Sequence, residues 1–219
     1  MAHKFYVLSC LLCLFCGLKT IAQRPFSEGT ITYKVTIQGL QSNKIADEGT
    51  YTFTFKGDQL KKELRLNSGF QDIIIFDFAK NTVYSLRVAG TKKYAIQLNI
   101  DDILNDQRKY ENFSLDKTEG NKKIAGLSAS KAIISYTESS ITSFTLYYTN
   151  DWYVNQPVGF ERFPKAKFLP LSFTYTTNNG MIMTFEATQI TPQPVENAVF
   201  RIPTDYKIIS HAEYMQLNK

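Results

Sequence analysis

Polar and apolar positions alternate with a period of two through most of the chain beyond residue 22. Over 30–37, Ile31, Tyr33, Val35 and Ile37 fall on one side, and Thr30, Thr32, Lys34 and Thr36 on the other. Tyr51, Phe53 and Phe55 alternate with threonines, and Leu60, Leu64 and Leu66 with Lys61, Glu63 and Arg65. Leu171, Phe173 and Tyr175, then Met181, Met183 and Phe185, repeat the pattern near the end. Successive strand side chains point to opposite faces, so these runs predict strands with one apolar and one polar face. The clusters Lys56-Gly57-Asp58, Asn67-Ser68-Gly69, Ala79-Lys80-Asn81, Ala89-Gly90 and Asn178-Asn179-Gly180 supply turn residues between them. The expectation is a mainly β protein: consecutive antiparallel hairpins, about ten or eleven strands in all. A meander that large curves strongly or forms a half-barrel.

Two segments break the alternation. Asn99 can cap a helix over 100–111, with Asp101 and Asp102 in its first turn and Arg108 and Lys109 in its last, as the helix dipole favours. Ser210 and Glu213 have the spacing of a capping box for a short terminal helix. No repeat or linker divides the chain.

Residues 1–22 read as a secretory signal peptide, with a basic start at His3 and Lys4, an apolar run over 5–18, and Thr20-Ile21-Ala22 before the cut. The run is shorter than the roughly 20 residues needed to span a bilayer. The residues before Cys13 and Cys16 are too bulky for lipoprotein processing, and cleavage at Cys10 would leave too short an apolar run. Cleavage after Ala22 leaves one domain, 23–219, with no transmembrane segment. All three cysteines leave with the leader, which excludes disulfides and thiol chemistry from the mature protein. Loss of Lys4 and Lys19 lowers the net charge from +5 to +3. The remaining basic residues come as separated pairs, which argues against nucleic-acid binding.

The chemistry of catalysis is thinly represented. His211 is the single histidine after the leader, so neither a zinc site nor a Ser-His or Cys-His pair can be assembled. No phosphate-cradling glycine loop is present, and no cofactor or metal is expected. Asp101, Asp102 and Asp106 suit a helix start better than a calcium site, and Asp72 and Asp77 suit solvated strand ends. A carboxylate-based hydrolase would need two facing acids in a cleft and ranks last. The long connection 149–169 is the most suggestive segment. It carries Trp152, Tyr153, Phe160, Phe163 and Phe168 together with Arg162, Lys165 and Lys167. It reads as a lid over an apolar groove, as an aromatic docking surface, or as a plug in the open end of the sheet.

Several short segments resemble an exported bacterial domain family of unknown function. They are Glu28-Gly29-Thr30-Ile31-Thr32-Tyr33, Lys123-Ile124-Ala125-Gly126 with Lys131-Ala132, Leu169-Pro170-Leu171, and Phe200-Arg201-Ile202-Pro203 with Tyr206-Lys207. Ala129 or a neighbour stands where such relatives often carry a cysteine. The resemblance implies a LolA/LppX-like, lipoprotein carrier-like fold, in which a bent antiparallel sheet wraps around helices and leaves an apolar hollow. Function is then expected to be non-catalytic: a periplasmic or outer-envelope binding protein of a Gram-negative-type bacterium, holding a lipid-like or other apolar ligand. The candidate contacts are Tyr33, Tyr51, Phe53, Phe55, Trp152, Phe160, Phe163, Phe173, Tyr175 and Met183, with Val35 and Phe185 on the same face. The same side chains equally suit a dry core. The alternative is an envelope structural or interaction protein that docks a protein partner through 149–169.

Overall fold

The computed structural model describes residues 23–39, 42–156, 159–177 and 179–217. Residues 1–22, read above as a signal peptide, with their cysteines, and part of the 178–180 turn lie outside the described residues.

The chain runs through β1 (Arg24–Pro25), β2 (Glu28–Gly39), β3 (Ser42–Lys56), β4 (Gln59–Leu66), β5 (Gln71–Asp77), β6 (Thr82–Ala89) and β7 (Lys92–Leu98). Helix α1 (Ile100–Gln107) follows and tightens into a 3-10 turn at Arg108–Tyr110. Then come β8 (Phe113–Ile124), β9 (Leu127–Tyr136), β10 (Phe144–Thr149), β11 (Trp152–Tyr153), β12 (Leu169–Thr176), β13 (Met181–Thr191), β14 (Lys207–Ser210) and α2 (His211–Leu217). The Asn99 side chain accepts the Asp101 N–H at 2.9 Å and so caps α1. Ser210 and Glu213 form the expected capping box, with Glu213 N–H donating to Ser210 Oγ at 3.2 Å and Ser210 N–H to Glu213 Oε2 at 2.7 Å. His211 is exposed at the start of α2.

Twelve strands form one sheet in the order β14-β7-β6-β5-β4-β3-β2-β13-β12-β10-β9-β8. The meander is therefore double. Strands β2–β7 form one half, β8–β10 with β12 and β13 form the other, and α1 carries the chain from one edge to the opposite one. The seam is the antiparallel β2–β13 ladder, from Thr30↔Thr191 to Gly39↔Met181. The sheet does not close: β14 and β8 remain at its edges. Strand β14 pairs in parallel with β7, and β1 pairs in parallel with β11 in a separate two-stranded sheet.

The strand count exceeds the ten or eleven expected, for identifiable reasons. Strand β8 carries Asp116, Lys117, Glu119, Lys122 and Lys123 and has little apolar alternation, because it is an exposed edge protected by charge. Strands β1, β11 and β14 are too short to show a period.

One face of the sheet gathers the main core. Tyr33, Val35, Phe53, Phe55, Leu60, Phe76, Ile134, Leu146, Leu171, Phe173 and Phe185 belong to a single buried cluster spanning nearly every strand, so the wall is curved around its apolar side. The expectation of one apolar and one polar face holds there but fails at β5–β7. Ile73, Ile75, Leu86 and Ala95 form a second buried cluster on the outer face, covered by Phe200 of the C-terminal segment. The uninterrupted run Ile73-Ile74-Ile75-Phe76 is the signature of a strand buried on both sides. Glu28 and Lys56 anchor that segment: Val195 N–H donates to Glu28 Oε1 at 2.9 Å, and Lys56 Nζ donates to Val195 O at 2.5 Å.

Candidate functional site

The concave wall is lined by rings in mutual contact. Phe173 stacks on Phe185 at 4.8 Å between centroids, Tyr175 on Phe185 at 5.5 Å, and Tyr51 meets Phe53 at 4.5 Å and Phe185 at 6.0 Å. Strand pairing explains the grouping, since Phe173 lies opposite Phe185 and Tyr175 opposite Met183. Next along the row, Phe185 faces Val35 and Val35 faces Gly49. A side chain at Gly49 would meet the backbone of Arg65, with its Cβ 1.9 Å from the carbonyl oxygen, so no ring can occupy that position.

The connection after β11 returns across this wall. Phe160 packs 4.9 Å from Phe53 and 6.1 Å from Tyr33, and Phe163 packs 5.2 Å from Phe173. Phe168 lies 5.2 Å from Tyr148 and 6.2 Å from Phe113. Two tyrosine hydroxyls hold the path: Tyr33 donates to Pro170 O at 2.7 Å and Tyr136 to Arg162 O at 2.5 Å. Burial raises the Tyr33 and Tyr51 hydroxyl pKa values well above the ordinary phenol value. Tyr175 is pushed up to about 12, mainly by burial and then by the charge of Glu161.

The candidate residues thus divide. Tyr33, Phe53, Phe55, Phe160, Phe163 and Phe173 are buried, and Tyr51, Tyr175, Met183 and Trp152 are half-buried. Tyr51, Tyr175 and Met183 sit together on the curved wall. Trp152 stands apart with Phe26 at 5.7 Å and the Arg24 guanidinium at 4.9 Å. The inward aromatics of 160–168 act as a plug, and the faces that this segment turns outward are Glu161, Lys165 and Lys167. Between wall and plug, a cleft of about 30 Å³ is lined by Tyr51, Phe53, Lys62, Arg162, Phe173 and Tyr175 among others. That is room for one or two waters and not for an acyl chain.

Lys62 is the member that the alternation concealed. It lies between Leu60 and Leu64 on the apolar side of β4, and its side chain is 2% exposed. Its ammonium sits 5.7 Å from the Phe53 centroid, 5.6 Å from that of Phe76, and 3.3 Å from Glu161 Oε1. A lysine at a position that the flanking leucines mark as inward was the available signal. Nearby Asp72 pairs with Arg87 at 2.8 Å. Burial is the chief cause raising the Asp72 carboxyl pKa; Glu161 adds to it, while Arg87 and Lys62 oppose it. Asp101, Asp102 and Asp106 are exposed on α1. Among the described residues, no three His, Cys, Asp or Glu side chains converge as a metal site, and no helix is long and apolar enough to cross a membrane.

No protein-family model matches the chain, and no curated protein matches it. Solved structures with a similar course include MucB, at 13% identity and a TM-score of 0.45 over 83% of this chain and 60% of that one. MucB in complex with MucA(peri) gives 13%, 0.44, 83% and 57%. PNGF-II gives 15% and 0.43 over 86% of this chain and 33% of that one. The LolA superfamily protein NE2245 from Nitrosomonas europaea gives 8% and 0.36, over 82% and 92%. The chain thus spans 57–60% of the length of the MucB chains it matches, and all these likenesses are distant.

Proposed function

We propose that the protein is an exported, non-catalytic binding module of the LolA/LppX-like kind, holding an apolar or amphiphilic ligand against its concave wall. The observation that supports this reading is the group of half-buried Tyr51, Tyr175 and Met183. Tyr51 and Tyr175 line the cleft against Phe185, and Met183 lies opposite Tyr175, so together they extend the buried aromatic row with an adaptable half-buried surface. Since the cleft is small, a ligand chain enters only when the Phe160 ring swings aside. Export rests on the pattern of residues 1–22. It is tested by N-terminal sequencing of secreted protein, which should begin at Gln23; retention of the leader overturns it.

Two measurements test binding. Protein isolated from its native envelope should release lipid on organic extraction, and Phe160→Ala should widen the cleft and increase that yield. No lipid from either form overturns the reading. Docking of an envelope partner through 149–169 is the lesser alternative, because Phe160, Phe163 and Phe168 are buried in the core.

A further inference from the structure

Among the cations near the plug, Arg162 lies against two rings and, like Lys109 and Lys167, has no carboxylate partner among the described residues. Lys62, Arg87 and Lys165 each pair with a carboxylate, whereas no carboxylate lies within 4 Å of Arg162 among the described residues. Its guanidinium carbon lies 4.1 Å from the Tyr175 ring centroid and 4.5 Å from that of Tyr110. Its own carbonyl is fixed by the Tyr136 hydroxyl. Side chain and backbone are therefore both held before any ligand arrives, which lowers the entropic cost of binding.

Arg162 and Tyr175 line two cavities at once. One is the aromatic cleft, and the other is a second cavity of about 250 Å³ that shares these two residues with it. The second cavity adds Lys109 and the hydroxyl residues Ser140, Thr142 and Thr176, and no carboxylate lines it. Three acids of the neighbouring segments have partners: Glu161 pairs with Lys62, Glu111 with Lys165, and Glu138 accepts from Ser140 Oγ at 3.1 Å. Two cations, the hydroxyls of Thr142 and Thr176, and a planar fork with no carboxylate partner among the described residues form a receptor for an oxyanion.

We propose that this cavity binds the carboxylate or phosphate group of the ligand, with Arg162 as its anchor and Lys109 at the rim. The inference rests on the binding reading above and deepens it. The ligand is an anionic amphiphile, its head against Arg162 and its apolar part running past Tyr175 onto the aromatic row.

Calorimetric titration with dodecanoate, dodecyl phosphate, dodecanol and inorganic phosphate tests this on the mature protein. The two acids should bind tenfold or more tighter than the alcohol. Arg162→Gln should abolish that preference, while Arg162→Lys retains part of it. If Arg162→Gln does not fold, Lys109→Gln should reduce the same preference. Equal binding of acid and alcohol by the wild type, or a preference untouched by all three variants, overturns the anion site and leaves the binding reading standing. Arg162-dependent binding of inorganic phosphate, with every dodecyl probe silent, upholds the oxyanion site and overturns the amphiphile.

Discussion

Lys62 Nζ lies 3.3 Å from Glu161 Oε1, and the two partners are buried unequally, at 2% and 55% exposure. The lysine belongs to the sheet and the glutamate to the plug, so this ion pair fastens the one to the other. Removing one partner of such a pair strands a charge, whereas replacing the buried charge with an apolar group of similar shape removes its desolvation cost. Glu161→Gln should therefore lower unfolding free energy by about 1–3 kcal/mol, the cost of a buried donor left without its partner. Lys62→Met should be neutral or stabilising, and the double variant should behave like Lys62→Met. Urea denaturation of the four proteins reads the cycle. A Lys62→Met loss as large as that of Glu161→Gln would show a net gain from the pair itself.

Asp72 sets a pH dependence of definite sign. Its carboxyl pKa is raised in the folded protein, chiefly by burial. Between the ordinary carboxylate value and the raised one, the folded state holds more proton than the unfolded state, so this group makes stability fall as pH rises. Asp72→Asn is neutral throughout. It should be more stable than wild type above that window, and the difference should shrink as pH falls below it. Thermal unfolding of both proteins from pH 3 to pH 7 checks the trend. A difference that grows toward acid would mean that the Arg87 pair outweighs burial.

The inner wall was legible in the chain because its period is unbroken from Ile31 to Ile37, from Leu171 to Tyr175 and from Met181 to Phe185, and hairpins are local. The seam was not. Pairing of Val35 with Phe185 joins residues far apart in sequence, and alternation reports a face but not a neighbour. The outer cluster at Ile73 and Ile75 was hidden for a related reason: its cover, Phe200, arrives from the other end of the chain. Of the candidate site, the aromatics could be read from the pattern. The inward position of Lys62 could be read from Leu60 and Leu64, but the roles of Lys62 and Arg162 could not, because they lie in which carboxylates and rings surround them. Helix α1 ends at Gln107 and not Glu111, since the last turn tightens around the buried Tyr110.

Gly29 is required where β2 begins. Its φ is +134°, and a Cβ there would lie 2.3 Å from Thr191 O and 2.9 Å from the Phe26 ring. The clash with backbone cannot be relieved by a rotamer change, and the φ is one that L residues rarely adopt. Gly29→Ala should cost more than about 2 kcal/mol in denaturant unfolding. Gly90, with φ +62° and nothing near its Cβ position, serves as a comparison. Gly90→Ala should be much milder, and equal losses would show that conformation and not contact governs both.

Gln107 closes α1 with its side chain turned into the protein, at 5% exposure. Neither Oε1 nor Nε2 has a hydrogen-bond partner among the described residues. A buried amide that gains no bond in exchange for water costs about 1–3 kcal/mol. Met has similar length, no strong polar atom and enough rotamer freedom to fill the same space. It also keeps the helix propensity of the position. Gln107→Met should therefore raise the urea midpoint without changing the slope of the transition, by an amount equivalent to about 1–2 kcal/mol. A lowered midpoint would mean that the amide is satisfied in solution and fastens the end of α1 to its surroundings.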